Sequence, residues 1–328
     1  MPVISICLSP GLQRSVIIDT LIPGEVNRLK SVVIDVAGKG VNVCRVLQRL
    51  GIEALCLAQG GSNADEVMAL ARSEGLELRL IASSGTLRTC TSIIETSMAT
   101  GRRVTELVEP SACVDEACVA ALAEALLTLL PTASALVIAG SMAPGYPPGY
   151  QAHLADLARQ TGVPVAIDQQ GAALVDVLSM RPALVKINLA EFVATFLADR
   201  FRGGEHSGML AQPALAAELT AAIADVSRGY ATSFVLTRGA NSIVLARDGQ
   251  LRVVAVQPLA ASEVVSPIGS GDSFLAGMLA QLLQTGATDW ERLSLDDLAD
   301  ATTLATACAQ SNARTARPGF LDESFARH

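Results

Sequence analysis

The chain has 328 residues, half of them hydrophobic and only 17% charged, with a formal net charge of −8. Soluble domains carry about 25% charged residues, so most of this chain must lie inside a packed globule, which excludes disorder. The acidic balance, without any run of Lys or Arg, argues against nucleic acid or an anionic membrane as partner, yet leaves room for a small anion held by a few local cations.

Short β-branched runs alternate with helical periodicity. Val3 to Leu8 reads as a strand, and Ser15 to Asp19 and Val32 to Val36 follow as strand-like runs with no helix between them. Val41 to Leu50 is predicted helical, with Val43, Val46, Leu47 and Leu50 on one face and Gly51 as its stop. Ala54 to Ala58 is a strand, Asp65 to Ser73 a helix closed by Gly75, and Leu76 to Ile81 a strand. Thr91 to Thr96 and Arg103 to Val108 read as a hairpin across Ala99-Thr100-Gly101. Next come a helix over Asp115 to Leu130, a strand over Ala135 to Ala139, and a helix near Gly149 to Gln160 closed by Gly162. Val165 to Asp168 and Ala183 to Ile187 are strands, and Leu215 to Val226 is helical. Ser233 to Thr237 is a strand, and a hairpin pairs Ile243 to Ala246 with Leu251 to Val256 across Asp248-Gly249.

Strands alternating with helices predict a parallel sheet covered on both faces. The two helix-free excursions predict a small antiparallel sheet standing off it as a lid. The fold class is therefore α/β, with a core over 1–11, 38–86 and 109–328 and a β lid over 12–37 and 87–108. Asp199 to Gln212, with its Gly and charged residues, is the expected mobile surface loop.

The mean hydropathy of +0.41 raises the question of a membrane. The longest uncharged stretch, Ala125 to Ala152, is interrupted by Pro131 and by the Pro/Gly cluster from Pro144 to Gly149, which a spanning helix does not tolerate. The N-terminal apolar run stops at Pro10 and has no basic segment before it, so no secretory signal is expected. Seven cysteines without a CxxC spacing, and only three histidines, argue against a zinc site. A reducing cytoplasm is the expected compartment.

The strongest local signal is Gly269-Ser270-Gly271-Asp272, followed by a helical pattern with Phe274, Met278 and Leu282 on one face. Glycines at such a turn let backbone amides converge at a helix N-terminus, where an anion is favoured and phosphate is the usual one. Asp272 beside that point has two readings: a helix cap, or a general base that takes a hydroxyl proton while the amides hold a phosphoryl group. Other glycine motifs fail. Gly38-Lys39-Gly40 has Val33 where a Walker loop has glycine and no Ser/Thr after the lysine, and Val43 and Phe274 spoil both potential GxGxxG fingerprints. Dinucleotide chemistry thereby loses its main support.

Gly38-Lys39-Gly40-Val41-Asn42-Val43-Cys44-Arg45-Val46-Leu47 with Leu50-Gly51, together with Gly269-Ser270-Gly271-Asp272, resembles the two signatures of the ribokinase-like (PfkB) carbohydrate kinases. Gly24 to Arg28, Arg88-Thr89, Thr105-Glu106-Leu107, Gly140-Ser141, Asp168, Lys186-Ile187-Asn188 with Glu191, and Thr237-Arg238-Gly239 fall in the family's order, so the resemblance covers nearly the whole chain. The Gly24 to Arg28 run and Lys39 resemble the branch of 1-phosphofructokinases and tagatose-6-phosphate kinases.

The resemblance implies a mostly parallel core sheet flanked by helices, with an antiparallel lid. It further implies ATP and Mg²⁺ as cofactors, a phosphorylated sugar as substrate, and a homodimer formed through the lids. Asp272 would be the base, with Gly269, Ser270 and Gly271 as the anion hole. Lys186 and Asn188 would touch the ATP phosphates, and Asn188 with Glu191 would place Mg²⁺ through water. Thr237 and Gly239 would line the nucleotide site, with Asn312 on its adenine side. Gly38, Asn42 and Ser141 would meet the sugar, while Arg28, Lys39 and Arg88 would hold the phosphate it already carries. A lysine at the end of an apolar strand, as Lys186 is, would be costly to bury without an anion.

Departures from the family pattern leave Asp272, the anion hole and the phosphate cations untouched. Gln13 stands where the branch has an aspartate that grips hydroxyls, Ala37 stands where a glycine precedes Gly38, Gln169-Gln170 replaces small hydroxyl residues, and Ile187 replaces a proline. The expected activity is phosphorylation of fructose 1-phosphate, with tagatose 6-phosphate or another sugar as the alternative. A non-catalytic sugar-phosphate binder is the reading from a different class, and the intact Gly269–Asp272 motif speaks against it.

Overall fold

Strands buried at every position can only sit in the middle of a sheet covered on both faces. Val3–Cys7 (β1), Ala135–Ala139 (β8) and Val165–Asp168 (β9) are of this kind. In the computed structural model, which describes residues 1–97, 102–198, 213–286 and 290–327, they form the centre of a nine-stranded sheet. Around them lie Ala54–Gln59 (β4), Leu78–Ile81 (β5), Leu184–Asn188 (β10), Ser233–Thr237 (β11), Ile243–Arg247 (β12) and Gln250–Val254 (β13). The order is β13-β12-β11-β10-β9-β8-β1-β4-β5, parallel throughout except for the antiparallel β11-β12-β13 edge.

Side chains alternate across this sheet as the two-residue strand period requires. Val3, Ala135, Val137 and Ala139 pack beneath Lys39–Arg49 (α1), Ala64–Glu74 (α2), Ser270–Gln284 (α8) and Leu295–Ala313 (α9). Ile4, Ile6, Leu136 and Ile138 pack on the other face against Glu116–Leu129 (α3), Tyr150–Gln160 (α4), Gly171–Leu178 (α5), Leu189–Phe196 (α6) and Pro213–Tyr230 (α7). No described helix is long and apolar enough to cross a membrane. Three helices, α5, α6 and α9, are additions to the sequence reading. The segment Asp199 to Gln212 and the turn at Ala99 to Gly101 lie outside the described residues.

The second sheet has the order β3-β2-β6-β7, built from Gly11–Ile18 (β2), Ser31–Ala37 (β3), Arg88–Glu95 (β6) and Arg103–Val108 (β7). Its outer pairs are antiparallel, as expected of two hairpin-like excursions, but the central pair β2–β6 is parallel. The reason is topological. β2 leaves the C-terminal end of β1 and β6 leaves that of β5, and strands departing from one edge of a parallel sheet start out in the same direction.

The chain reverses its progression across the core between β1 and β8. From β1 it steps outward to β4 and β5; from β8 it steps the other way through β9, β10 and β11. In open α/β sheets the crevice beyond the strand C-termini at such a switch point is where ligands bind. The residues after β1, β8, β9 and β10 converge there, beneath the root of the lid.

Candidate active site

Helix α8 begins at Gly269, whose φ of +82° is open to glycine and strained for other residues. A Cβ there would also come within 2.8 Å of Pro318 Cα and Asn312 Oδ1. The amides of Gly271 and Asp272 belong to the first turn and have no intrahelical acceptor. Ser270 Oγ is buried with no hydrogen-bond partner. These are groups that an anion satisfies. Gly271 is needed for another approach: a Cβ there would stand 2.7 Å from Lys186 Nζ, so its absence lets the ammonium close on the turn.

Asp272 is 6% exposed and its Oδ2 accepts from Asn42 Nδ2 at 2.7 Å. Burial pushes its carboxyl up to about 6; Asp168 adds to the rise, while Lys39, the Asn42 hydrogen bond and Lys186 restrain it. Asp168, at the end of β9, is almost wholly buried and carries a lysine on each oxygen: Lys39 Nζ at 2.8 Å and Lys186 Nζ at 2.9 Å. Burial alone would raise Asp168, but Lys186 and Lys39 outweigh it and hold the carboxyl at about 2. Lys39 remains charged for the complementary reason: burial disfavours its ammonium, and Asp168 and Asp272 more than compensate, raising its pKa. Asp168, the seat of both lysines, has no site role in the sequence pattern beyond its place in the family's order. A carboxylate closing an apolar strand was the available signal.

Beside the α8 turn opens a groove of about 350 Å³ lined by Thr237, Gly239, Val256, Pro258, Phe274 and Ala309 among others, with Ser270 and Gly271 at its end. Its walls are mostly apolar, which suits a planar ring, and it leads to the anion turn. Thr237 and Gly239, expected at the nucleotide, both line this groove. Asn312 does not. It is wholly buried, accepts from Ser273 Oγ at 3.1 Å, and donates to Arg317 O at 3.2 Å and Thr315 Oγ1 at 3.3 Å. Its polar atoms are spent on bracing the segment behind Gly269, and α9 meets the groove instead through Thr306, Ala309, Gln310 and Ala313.

Asn188 and Glu191 form a reciprocal capping box at the start of α6: Asn188 Oδ1 accepts from Glu191 N, and Glu191 Oε2 accepts from Asn188 N, both at 2.8 Å. Among the described residues no group of three or more His, Cys, Asp or Glu side chains could hold a metal.

On the opposite side, Gly38 turns the chain from β3 into α1 at φ +133°, where a Cβ would collide with Cys7 Sγ. Gln13 is buried in the lid root and its Nε2 donates to Ser92 Oγ at 2.8 Å. Ser141 is exposed just beyond β8, on a turn pinned where Gly140 O accepts from Gln151 Nε2 at 3.0 Å and from Gln169 Nε2. Gln169 therefore braces this turn instead of pointing at a sugar. Arg88 begins β6 opposite Gly11, at the core end of the lid. Arg28 belongs to the connection at the other end, where Ile17 pairs with Ser31. Six strand steps of about 3.4 Å separate the two ends, on the order of 20 Å. Within one chain the three expected phosphate cations do not meet; Arg28 stands apart from Lys39 and Arg88.

The site so assembled suits phosphoryl transfer, from a nucleotide in the groove to a hydroxyl presented to Asp272. The sequence matches the pfkB family of carbohydrate kinases over residues 6–321, and the chain belongs to that family. It is therefore an ATP-using sugar kinase. It is 30% identical over 297 residues to the 1-phosphofructokinase of Xanthomonas campestris pv. campestris, spanning 88% of this chain and 86% of that protein. The phosphofructokinase-2 of Escherichia coli in complex with potassium is similar in structure, with a TM-score of 0.81 at 21% identity over 99% of this chain and 97% of that one. The ribokinase of Giardia lamblia has a TM-score of 0.71 at 14% identity, covering 96% and 93%. These structural likenesses concern the fold alone, and they agree with the ribokinase-like architecture expected from the sequence.

Proposed function

We propose that the protein transfers the γ-phosphoryl group of ATP to a ketohexose phosphate, with fructose 1-phosphate phosphorylated at its 6-hydroxyl as the principal substrate and tagatose 6-phosphate as the alternative. The observation that carries this reading is Asp272: a buried carboxylate at about 6, in the first turn of a helix, facing two lysines. A group at this position and acidity can accept a hydroxyl proton near neutral pH. The amides of Gly269, Gly271 and Asp272 with Ser270 Oγ would stabilise the transferring group, the Ser270 amide being spent on Pro267 O, and Lys186 would add positive charge through the opening at Gly271.

Gly38, Asn42, Ser141 and Gln13 would orient the sugar. Gln13 spends its Nε2 on Ser92 and keeps its amide oxygen for a hydroxyl. Lys39 and Arg88, at the core end of the lid, would hold the phosphate already on the sugar. Arg28, at the far end of the lid, would meet such a phosphate only if a second copy brought its own site there. A homodimer through the lids is supported by the exposed apolar side chains of Val32, Val33, Ile34, Leu107 and Val108 on β3 and β7. Segments 12–37 and 87–108 would then move as one cover over the core.

The donor set fits Mg²⁺ held mainly by phosphate oxygens and water, a mode this ion favours. Glu191 keeps Oε1 outside its capping bond, and Asn188 and Glu191 would hold such water. When bound, the ion would offset charge on the ATP phosphates. The test is to supply purified protein with ATP, Mg²⁺ and a panel of sugars and sugar phosphates while following ADP release. Turnover confined to unphosphorylated sugars would overturn the substrate assignment. Ligand-induced thermal stabilisation with no ADP release on any sugar would favour a non-catalytic binder.

A further inference from the structure

The interior of α1 holds a charge that the chemistry above leaves unused. Arg45 is only 8% exposed and lies one turn beyond Asn42, on the same face of the helix. Its Nη1 donates to Asn42 Oδ1 at 3.0 Å and to Pro318 O at 3.2 Å. Its Nη2 donates to Val36 O at 2.7 Å and to Glu74 Oε2 at 2.8 Å, and Nε adds a second bond to Glu74 Oε2 at 3.0 Å. Glu74 Oε1 in turn accepts from Val36 N at 3.2 Å. The Arg45–Glu74 pair therefore grips the carbonyl and the amide N–H of Val36, at the end of β3 where the lid rejoins the core.

The grip extends to the C-terminal segment. The Arg45 guanidinium stands 4.4 Å from the centre of the Phe320 ring, and Arg317, which pairs with Asp35 of β3 through its Nε at 3.0 Å, stands 3.6 Å from the same ring. Gly319 lies so close that a Cβ there would be 2.8 Å from Asn42 Cα. Lid, helix and tail thus close around one amide.

The orientation of that amide has a chemical consequence. Arginine has donors only, so Asn42 must turn its oxygen toward Arg45, and its N–H is left to donate to Asp272 Oδ2. Without Arg45 the amide is free to rotate and present its oxygen, which a buried carboxylate tolerates only by taking up a proton.

We propose that Arg45 is a positioning residue for the transfer reaction: it fixes the Asn42 amide with its N–H toward Asp272 and, through the Val36 peptide, ties that orientation to the seating of the lid. The inference rests on Asp272 acting as the base.

The test is the pH dependence of kcat/KM for the sugar phosphate at saturating ATP. The substrate's own ionisation is common to all variants, so differences belong to the protein. Arg45→Met combined with Glu74→Met removes both buried charges and leaves neither unpaired. The acid limb is expected to move upward by about one pH unit, the size of one hydrogen bond to a charged group, so that kcat/KM at pH 6 falls about fivefold below wild type while at pH 8 it stays nearly level with it. Arg45→Lys keeps the charge but offers a point donor in place of a fork, and should give a smaller shift of the same sign. In an Asn42→Ala background the Arg45 substitutions should move the limb no further. A merely structural ion pair would lower the melting temperature and reduce the rate equally at all pH values. An acid limb unmoved in whichever Arg45 variant folds, or a shift that persists in full without Asn42, overturns the proposal. Asp272→Asn, assayed alongside, separates the two readings: if it keeps turnover, the base assignment fails by itself, whatever Arg45 does.

Discussion

Asp272→Asn is the substitution in which chemistry and stability should move in opposite directions. The change is nearly isosteric, and the new amide oxygen can still accept from Asn42 Nδ2, which reaches Oδ2 at 2.7 Å in the native protein. Burial raises the native carboxyl from its ordinary 3.8 to about 6. That difference corresponds to on the order of 3 kcal/mol between the two protonation states. The folded state binds the proton more tightly than the unfolded chain, so the favourable contribution is fully present below about pH 4 and is lost as pH rises through 6. At neutral pH the protein therefore carries a buried carboxylate at a cost of up to about 3 kcal/mol. The substituted amide is neutral at every pH, which removes that cost. Melting temperatures at pH 7.5 should rise by several degrees over wild type, and the advantage should vanish near pH 4. ADP release in the presence of sugar phosphate should fall roughly 10²–10⁴-fold, the usual worth of a general base. If the variant melts at or below wild type at pH 7.5, the burial argument is wrong; if it turns over at the wild-type rate, Asp272 is not the base.

Gly271→Ala adds a methyl group 2.7 Å from Lys186 Nζ, so turnover should fall on the order of tenfold or more. Alanine's better helix propensity of about 1 kcal/mol should meanwhile keep the melting temperature level or higher; unchanged kinetics would show that Lys186 need not approach the turn. Gln13→Asp places a carboxylate beside Ser92 in the lid root and should shift preference toward the ketohexose phosphates used by the family branch. A sugar profile identical to wild type would remove Gln13 from substrate choice. Ile34→Glu with Leu107→Glu puts charge on the exposed apolar lid and should turn a light-scattering dimer into a monomer at micromolar concentration; a wild-type protein already monomeric there would dispose of lid pairing.

The strands that build the core are legible because their burial is continuous. Ala135–Ala139, Val165–Asp168 and Ser233–Thr237 stand where apolar runs between glycine, proline and polar punctuation place them. Helix α9 escaped the same reading for a physical reason. It packs by closeness, without large side chains in a stripe: a Cβ on Gly277 of α8 would meet Cys308 Sγ and Leu304 O of α9 at 2.8 Å. Its Ala, Thr and Cys residues leave little hydrophobic periodicity to detect. The anion turn could be read because its parts are adjacent in the chain. The lysine seat could not, since Lys39 and Lys186 reach Asp168 from 129 and 18 residues away. For Arg28 and Asn312, matching position in a motif says nothing about distance along a strand or about a side chain already committed to its neighbours.

The two buried aspartates owe their difference to how the same two lysines are shared. Asp168 takes one ammonium on each oxygen and stays ionised at about 2, while Asp272 receives an amide N–H and feels the lysines at longer range, so burial prevails and it rests near 6. Neighbouring carboxyls pushed apart in this way take different tasks. One is fixed as a counter-ion that keeps Lys39 charged and holds both lysines in place before any phosphate arrives. The other is left able to exchange a proton within the working range. A phosphate drawing the lysines toward itself would weaken their restraint on Asp272 and make it a stronger base at the moment a hydroxyl must lose its proton. Affinity for the anion and readiness for the transfer would thus be coupled through the same pair of side chains.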